Sequence, residues 1–425
     1  MTWDALWPIL LEAAIKSAII LFFLLTAFAY TTFAERKVAA LLQTRIGPNR
    51  AGPWGWLQPA ADGVKLIFKE ELIPGGADKI IFVLAPIITV IPAFIILAVV
   101  PWGPTPEGGI ACCSLTIPFT SIKLGGEYFV IQNGFGLADL NVGMLYILSV
   151  ASIAVYGVVL AGWSSDNKYA MLGGIRSTAQ MVSYELALGL SIVGPLMLAE
   201  SMSMAKIIDA QADVWFIVLQ PVAAVIFYLA VLAEVNRAPF DMPEAEQELT
   251  AGYHTEYSGM KFALFFMAEY IKMIGVSAIF ATLFLGGWRG PFAEQIPLLG
   301  LVYFLIKVGA SVIFMIWLRS THPRLRYDRL MALGWKVLLP VALANVIVTA
   351  AALIDLTLLA IVVGVLVVIL AVILFGYGRR QMAAKRRRPT PLIPLPEREG
   401  GATAQTYPPT PLPEREGGAA SVATR

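Results

Sequence analysis

Three glutamates, Glu185, Glu234 and Glu269, sit in or at the edge of long apolar runs, and Lys272 follows Glu269 by three residues. An ionisable side chain inside a bilayer costs a few kcal/mol even on a lenient scale, so each position asks for a physical reason. On a helix, residues i and i+3 share a face, which lets Glu269 and Lys272 pair. Carboxylates in a poorly solvated setting hold protons more tightly than in water, which suits them to carrying protons. Three acids on consecutive apolar segments can line one polar cavity. The structural alternative for each is a buried ion pair, or an interfacial residue reaching back to water. For Lys307 and Asp355 nothing in the sequence separates that alternative from function.

A second constellation follows Glu234, in AEVNRAPFDMPEAEQELTAGYHTEYSGMKF. Asp241, Glu244, Glu246, Glu248 and Glu256 fall within sixteen residues, against Arg237 and His254. Acidic runs are usually solvated loops. Here the acids alternate with Phe240, Met242, Ala245 and Leu249, and Tyr253 and Tyr257 interleave, so a packed segment is predicted. Packed acids share protons, because ionising one raises the affinity of the next. A third group has the opposite sign: Arg36, Lys37, Arg45 and Arg50 accompany Asp62, Gln43, Trp54 and Trp56. Apolar surface with a few placed polar groups is the make-up of a ligand site. Positive anchoring beside an aromatic interface belt accounts for the same residues.

These residues need a membrane scaffold to position them. Of the 425 residues 58% are hydrophobic and 14% charged, and mean hydropathy is +0.74, well away from the soluble norm. A spanning helix takes about 20 apolar residues. Stretches of that length lie near 9–34, 80–102, 142–163, 179–200, 214–235, 260–288, 297–318, 331–353 and 355–377. The expected fold is therefore all-α and polytopic, with about nine transmembrane helices. The first run is too long for a secretory leader and has no cleavage site, so it is expected to stay as a helix. Segments 35–79, 164–178, 236–259 and 319–330 and the tail hold most of the Lys and Arg. That distribution puts them and the C-terminus in the cytoplasm and the N-terminus outside.

Between these segments, 60–72 reads as a short amphipathic helix lying at the interface, and 103–141 as the largest outside loop, with a small hairpin near 127–135. Residues 1–377 form the expected membrane domain. Residues 378–425 form a Pro/Gly/charge-rich extension, expected to be disordered, with TPLPEREGG imperfectly repeated. Two adjacent cysteines, Cys112 and Cys113, and two histidines give no four-thiolate cluster or bis-histidine haem site. No dinucleotide fingerprint follows a strand. The chain is expected to bind no redox cofactor or metal itself.

Three stretches carry a family resemblance: ERKVAALLQTRIGPNRAGPWGWLQPAADGVKLIFKE, SSDNKYAMLGGIRSTAQMVSYE and AEVNRAPFDMPEAEQELTAGYHTEYSGMKFALFFMAEY. In order and over about residues 1–377, the chain resembles the H subunits of the bacterial NADH–quinone oxidoreductases, respiratory complex I. The resemblance implies a component of a proton-translocating enzyme in the bacterial inner membrane, with quinone as substrate and no catalytic residue of its own. Flavin mononucleotide and iron–sulfur clusters would reside in other subunits. Implied partners are the terminal iron–sulfur subunit, the hydrogenase-large-subunit-like quinone-site subunit, and the small and antiporter-like membrane subunits, together with the lipid bilayer; nucleic acid is not among them. By motif, Arg36 and Asp62 would line the quinone tunnel, with Arg45 near it. Glu185, Glu234 and Glu269, with Lys272, would form a polar channel. Asp241, Glu244, Glu246, Glu248 and Glu256 would link the two. The related membrane component of energy-converting hydrogenases, which needs no quinone, and a stand-alone ion antiporter are the other readings of such a scaffold.

Overall fold

A computed structural model of the chain describes residues 3–103, 110–111, 130–131, 137–242, 251–293 and 297–355, with helical positions at 361, 363 and 365. Residues Met1–Leu366 form one compact unit; the second, Val367–Arg425, lies outside the described residues.

Helices dominate. The first, α1 (Trp3–Leu42), runs past its apolar stretch, so Glu35, Arg36 and Lys37 are helical rather than part of the loop expected from residue 35. After a Gly/Pro-punctuated turn comes α2 (Gln58–Ile67), the short amphipathic helix expected over 60–72. Next, α3 (Lys79–Ile96) starts where the Asp78 side chain accepts from the Ile80 N–H, an N-cap that satisfies an otherwise orphan donor. It is followed by α4 (Gly143–Ser164) and α5 (Lys168–Ala199). The last of these begins well before the expected 179, because the Asn167 side chain caps it through the Tyr169 N–H. The segment expected as the cytoplasmic loop 164–178 is thus largely helical, and its glycines let helices approach. A Cβ on Gly174 would meet the Gly162 Cα at 3.4 Å, and one on Gly157 the Ala85 carbonyl at 2.9 Å, the small-residue packing that membrane helices use.

Two short helices, α6 (Met204–Asp209) and α7 (Phe216–Leu219), precede α8 (Pro221–Glu234). The single span expected over 214–235 is thus broken at Gln220, where Pro221 has no N–H to continue the ladder. At 14 residues α8 is about 21 Å long, short of a full hydrocarbon crossing. Then come α9 (Gly259–Phe284), α10 (Pro297–Thr321), α11 (Tyr327–Leu333), a π turn over Gly334–Leu338, and α12 (Leu339–Ile354). Among the described residues seven helices are long and apolar enough to cross a membrane, counting α11 to α12 as one. With α8 they account for eight of the nine expected spans; most of 355–377 falls outside the described residues. The chain is a multi-pass membrane protein.

In the 103–141 segment, Val130–Ile131 pairs antiparallel with Ile110–Ala111, a partner farther back than a hairpin at 127–135 would use. The core lies where α3, α4, α5, α8 and α9 meet, with Phe227, Ile271 and Phe284 fully enclosed. Along α9 from Ala268 to Ile279 every residue is buried, so polar groups carried there must find partners inside the protein.

Candidate functional site

Glu269 and Lys272, one turn apart on α9, are 7% and 6% exposed. Glu234, the last residue of α8, is 8% exposed. Glu185 on α5 is half-buried and accepts from the Ser152 hydroxyl of α4. The Lys272 ammonium lies within electrostatic reach of all three acids. Three helices, α5, α8 and α9, therefore bring three carboxylates and one cation to one polar centre. Beside it is a cavity of about 20 Å³, lined by Glu234 and Lys272 among Ile147, Leu188, Phe227 and Gly275. That volume holds about one water. The carboxyl groups here outnumber the ammonium three to one.

Past Glu234 the chain turns sharply, with Asn236 at φ 53°. Fully buried Gln180 of α5 holds the turn: its amide donates to the Ala233 and Phe240 carbonyls, 2.7 Å each. Asp241, 2% exposed, pairs with Arg324 at 3.1 Å, and the Leu325 N–H donates to the Pro239 carbonyl. Glu256 accepts from Asn167 at 2.7 Å. The described residues of the segment are packed, with Asp241 on Arg324 and Glu256 on Asn167. Glu244, Glu246 and Glu248 lie outside the described residues.

A turn at Gly252–His254 carries the aromatics. Tyr253 OH donates to Glu269 Oε1 at 3.4 Å. Its ring lies 3.8 Å from that of His254, which also contacts Phe262, Phe265 and Phe266. Burial drives the His254 pKa down to about 3, and its Nε2 has no hydrogen-bond partner among the described residues. Tyr257 stacks on Phe82 at 4.0 Å and donates to the Phe82 carbonyl. Burial pushes its hydroxyl up to about 12, with the Ser164 contact acting the other way.

The strongest ionic cluster is one that sequence reasoning missed. Glu35 of α1 accepts from Arg237 Nη1 at 3.0 and 3.1 Å, from Tyr270 OH of α9 at 2.7 Å, and from Arg319 in the last turn of α10. The Arg237 Cζ stands 4.2 Å from the Tyr270 ring centroid, a cation–π geometry. Burial opposes the Arg237 charge, but Glu35, helped by Tyr270 and Glu269, outweighs it and holds the guanidinium above its usual range. The partners stand 202, 235 and 284 residues from Glu35, a separation at which periodicity carries no signal. The available hint was an acid directly after an apolar run, beside Arg36 and Lys37.

Of the first-loop residues, the structure brings Arg36 and Asp62 together: Nη1 to Oδ2 is 2.6 Å, with Gln58 also donating to Asp62. Arg45 instead bonds Gln43 at 2.6 Å. Around them Trp54, Trp56, Val64, Ile67 and Phe68 are exposed, an apolar surface bearing a charged pair. Lys307 makes the contacts of a helix-capping residue. Its ammonium donates to the carbonyls of Leu285, Gly287 and Arg289 at 2.7, 2.8 and 2.7 Å, capping the C-terminal end of α9 over the Trp215 ring. Asp355 ends α12 at an exposed position.

Residues 15–350 match the NADH dehydrogenase family. The H 1 subunit of NADH-quinone oxidoreductase from Geobacter sulfurreducens is 51% identical over 335 residues, 79% of this chain and 92% of that protein. The H 2 subunit from Geobacter metallireducens is 52% identical over 336 residues, 79% and 93%. The H subunit from Streptomyces avermitilis is 46% identical over 354 residues, 82% and 73%.

Proposed function

The chain belongs to the NADH dehydrogenase family, among the H subunits of NADH-quinone oxidoreductases, and from that premise we propose that it helps form the quinone cavity of such an enzyme and couples quinone reduction to proton translocation. The observation that carries the coupling half is the convergence of Glu185, Glu234 and Glu269 on Lys272 beside a water-sized cavity. A structural anchor has no use for such a group; a proton path does.

On this reading the Arg36–Asp62 pair and Arg45 border the quinone entrance, amid exposed apolar side chains that suit an isoprenoid ligand or a covering subunit. Reducing a quinone to a quinol takes up two electrons and two protons. The electrons come from flavin and iron–sulfur groups in neighbouring subunits; this chain supplies charged and hydrogen-bonding groups. Proton uptake beside the acidic segment changes the field felt by Glu35, Arg237 and Asp241. That change passes to Glu269 through Tyr253 and Arg237, and on to Glu234 and Glu185. The carboxylates then hand protons toward antiporter-like membrane subunits. The enzyme would work in a bacterial inner membrane, with Glu244, Glu246 and Glu248 contributing to the acidic link.

The test is to extract the chain from its native membrane in mild detergent and assay NADH oxidation with a soluble quinone. Flavin and iron–sulfur subunits should co-purify, with activity blocked by quinone-site inhibitors. Co-purification with a nickel–iron hydrogenase would replace this reading with that of a hydrogenase anchor. Within the complex, Glu185→Gln should oxidise NADH with reduced proton translocation; full stoichiometry in a normally assembled variant removes Glu185 from the path.

A further inference from the structure

Arg237 grips Glu35 with one nitrogen only. Both carboxylate oxygens accept from Nη1, while Nε and Nη2 are buried with no hydrogen-bond partner among the described residues. Those two N–H groups form the side-on fork of the guanidinium, the edge that ordinarily meets a carboxylate through two parallel bonds. Buried donors on a charged group are costly to leave unmet, so an idle fork at 4% residue exposure marks a second place for this side chain.

The surroundings identify that place. Glu35 is not stranded if Arg237 turns away, because Arg319 and Tyr270 both still donate to it. The Tyr270 ring, under the guanidinium at 4.2 Å, offers a flat face for a planar cation to slide across. The residue before Tyr270 is Glu269, buried on the same helix and among the groups whose charge Arg237 feels. Among the described residues the ionisable groups around the guanidinium are Glu35, Arg319, Tyr270 and Glu269, and Lys272 stands one turn beyond Glu269.

We infer that Arg237 has two seats, one on Glu35 and one with its Nε/Nη2 fork on Glu269, and that its exchange between them carries the charge change into the membrane carboxylates. When the fork engages Glu269, Lys272 is left to Glu234 and Glu185, which lowers their proton affinity and favours release. When Arg237 returns to Glu35, Lys272 is shared three ways again and proton uptake is favoured. This inference rests on the coupling role proposed above, and adds the part that moves.

The experiment is a double-mutant cycle on the assembled complex, with Arg237→Lys and Glu269→Gln made singly and together. The readout is protons released per NADH oxidised. An ammonium keeps the charge on Glu35 but has no fork. Each single variant should lower the ratio, and the double should be no worse than the poorer single, a departure from multiplicative effects of about twofold or more. Multiplicative effects with Glu269→Gln impaired overturn the two-seat inference and leave the coupling reading standing. Full pumping by Glu269→Gln overturns both. Electron cryomicroscopy of the wild-type complex, resting and under NADH, is independent of variant assembly: the fork should lie on Glu269 in one state. Arg237 on Glu35 in both would refute the exchange.

Discussion

Lys272 is the residue on which the polar centre depends, since Glu185, Glu234 and Glu269 all lie within its electrostatic reach. Removing one member of a buried charge set strands the rest, at about 3–5 kcal/mol for a simple pair. Protonation of the acids relieves part of that cost. Lys272→Met should therefore assemble at reduced yield, retain much of its NADH oxidation, and lose proton translocation by about tenfold or more, because carboxylates left protonated no longer cycle. Proton release measured in sealed vesicles checks this, and coupled turnover near wild type would remove Lys272 from the path. His254 gives a prediction in pH. Its folded pKa, about 3, lies below the 6.5 of the free side chain, so in the window between them the unfolded chain binds a proton that the folded chain refuses. Its contribution is complete above about pH 6.5 and is lost as pH falls toward 3, up to roughly 5 kcal/mol. His254→Phe keeps a ring among Tyr253, Phe262 and Phe265 but cannot titrate. Thermal unfolding in detergent between pH 7 and 4.5 should fall more gently for this variant than for wild type.

Whole elements are placed by contacts of a different kind. The carbonyl end of α9 is closed by Lys307, whose loss leaves the Leu285, Gly287 and Arg289 carbonyls without that cation. Lys307→Met should cost about 2–4 kcal/mol of stability, while the protein that does assemble should pump at the normal ratio. A stable variant with defective pumping would instead return Lys307 to the proton path. The approach of α5 to the Gly252–His254 turn depends on Gly173, where a Cβ would stand 2.6 Å from the Gly252 Cα. Gly252 already holds φ +57°, so the turn has little freedom to retreat. Gly173→Ala should destabilise by about 1–3 kcal/mol. It should also weaken coupling, since the displaced turn carries the Tyr253 hydroxyl that reaches Glu269. Melting temperature and proton stoichiometry, measured on one preparation, show whether the two effects travel together.

Across the molecule, helix ends gather on two sides. The C-terminal part of α1 and the last turn of α10 meet the segment after α8 through Glu35, Arg319 and Arg237. At the other end α9 meets α6 and α7, with Arg289 bonding Asp209 at 3.2 Å and Lys307 over Trp215. From the distribution of Lys and Arg we propose that the first side is cytoplasmic. In a chain with Cys112 and Cys113 changed to serine, a membrane-impermeant maleimide should label Arg326→Cys from the cytoplasmic face and Lys206→Cys from the outer face. The reverse pattern would invert the topology. The sequence by itself determined that this is an all-helical membrane protein. Burying apolar runs of spanning length is a local demand, and a carboxylate inside such a run is conspicuous because it is costly there. It likewise marked Arg36 with Asp62, 26 residues apart, and Glu269 with Lys272, one turn apart. Where residues' partners lie far along the chain, only the tertiary structure decided. It broke the expected 214–235 span at Gln220, assigned Lys307 to a helix end, gave Asp241 and Glu256 separate partners, and drew Glu35, Arg237, Tyr270 and Arg319 into one cluster. The reason is physical: a buried charge is satisfied by whichever opposite charge the packing of helices brings within about 3 Å, and that choice leaves no periodic trace in either segment.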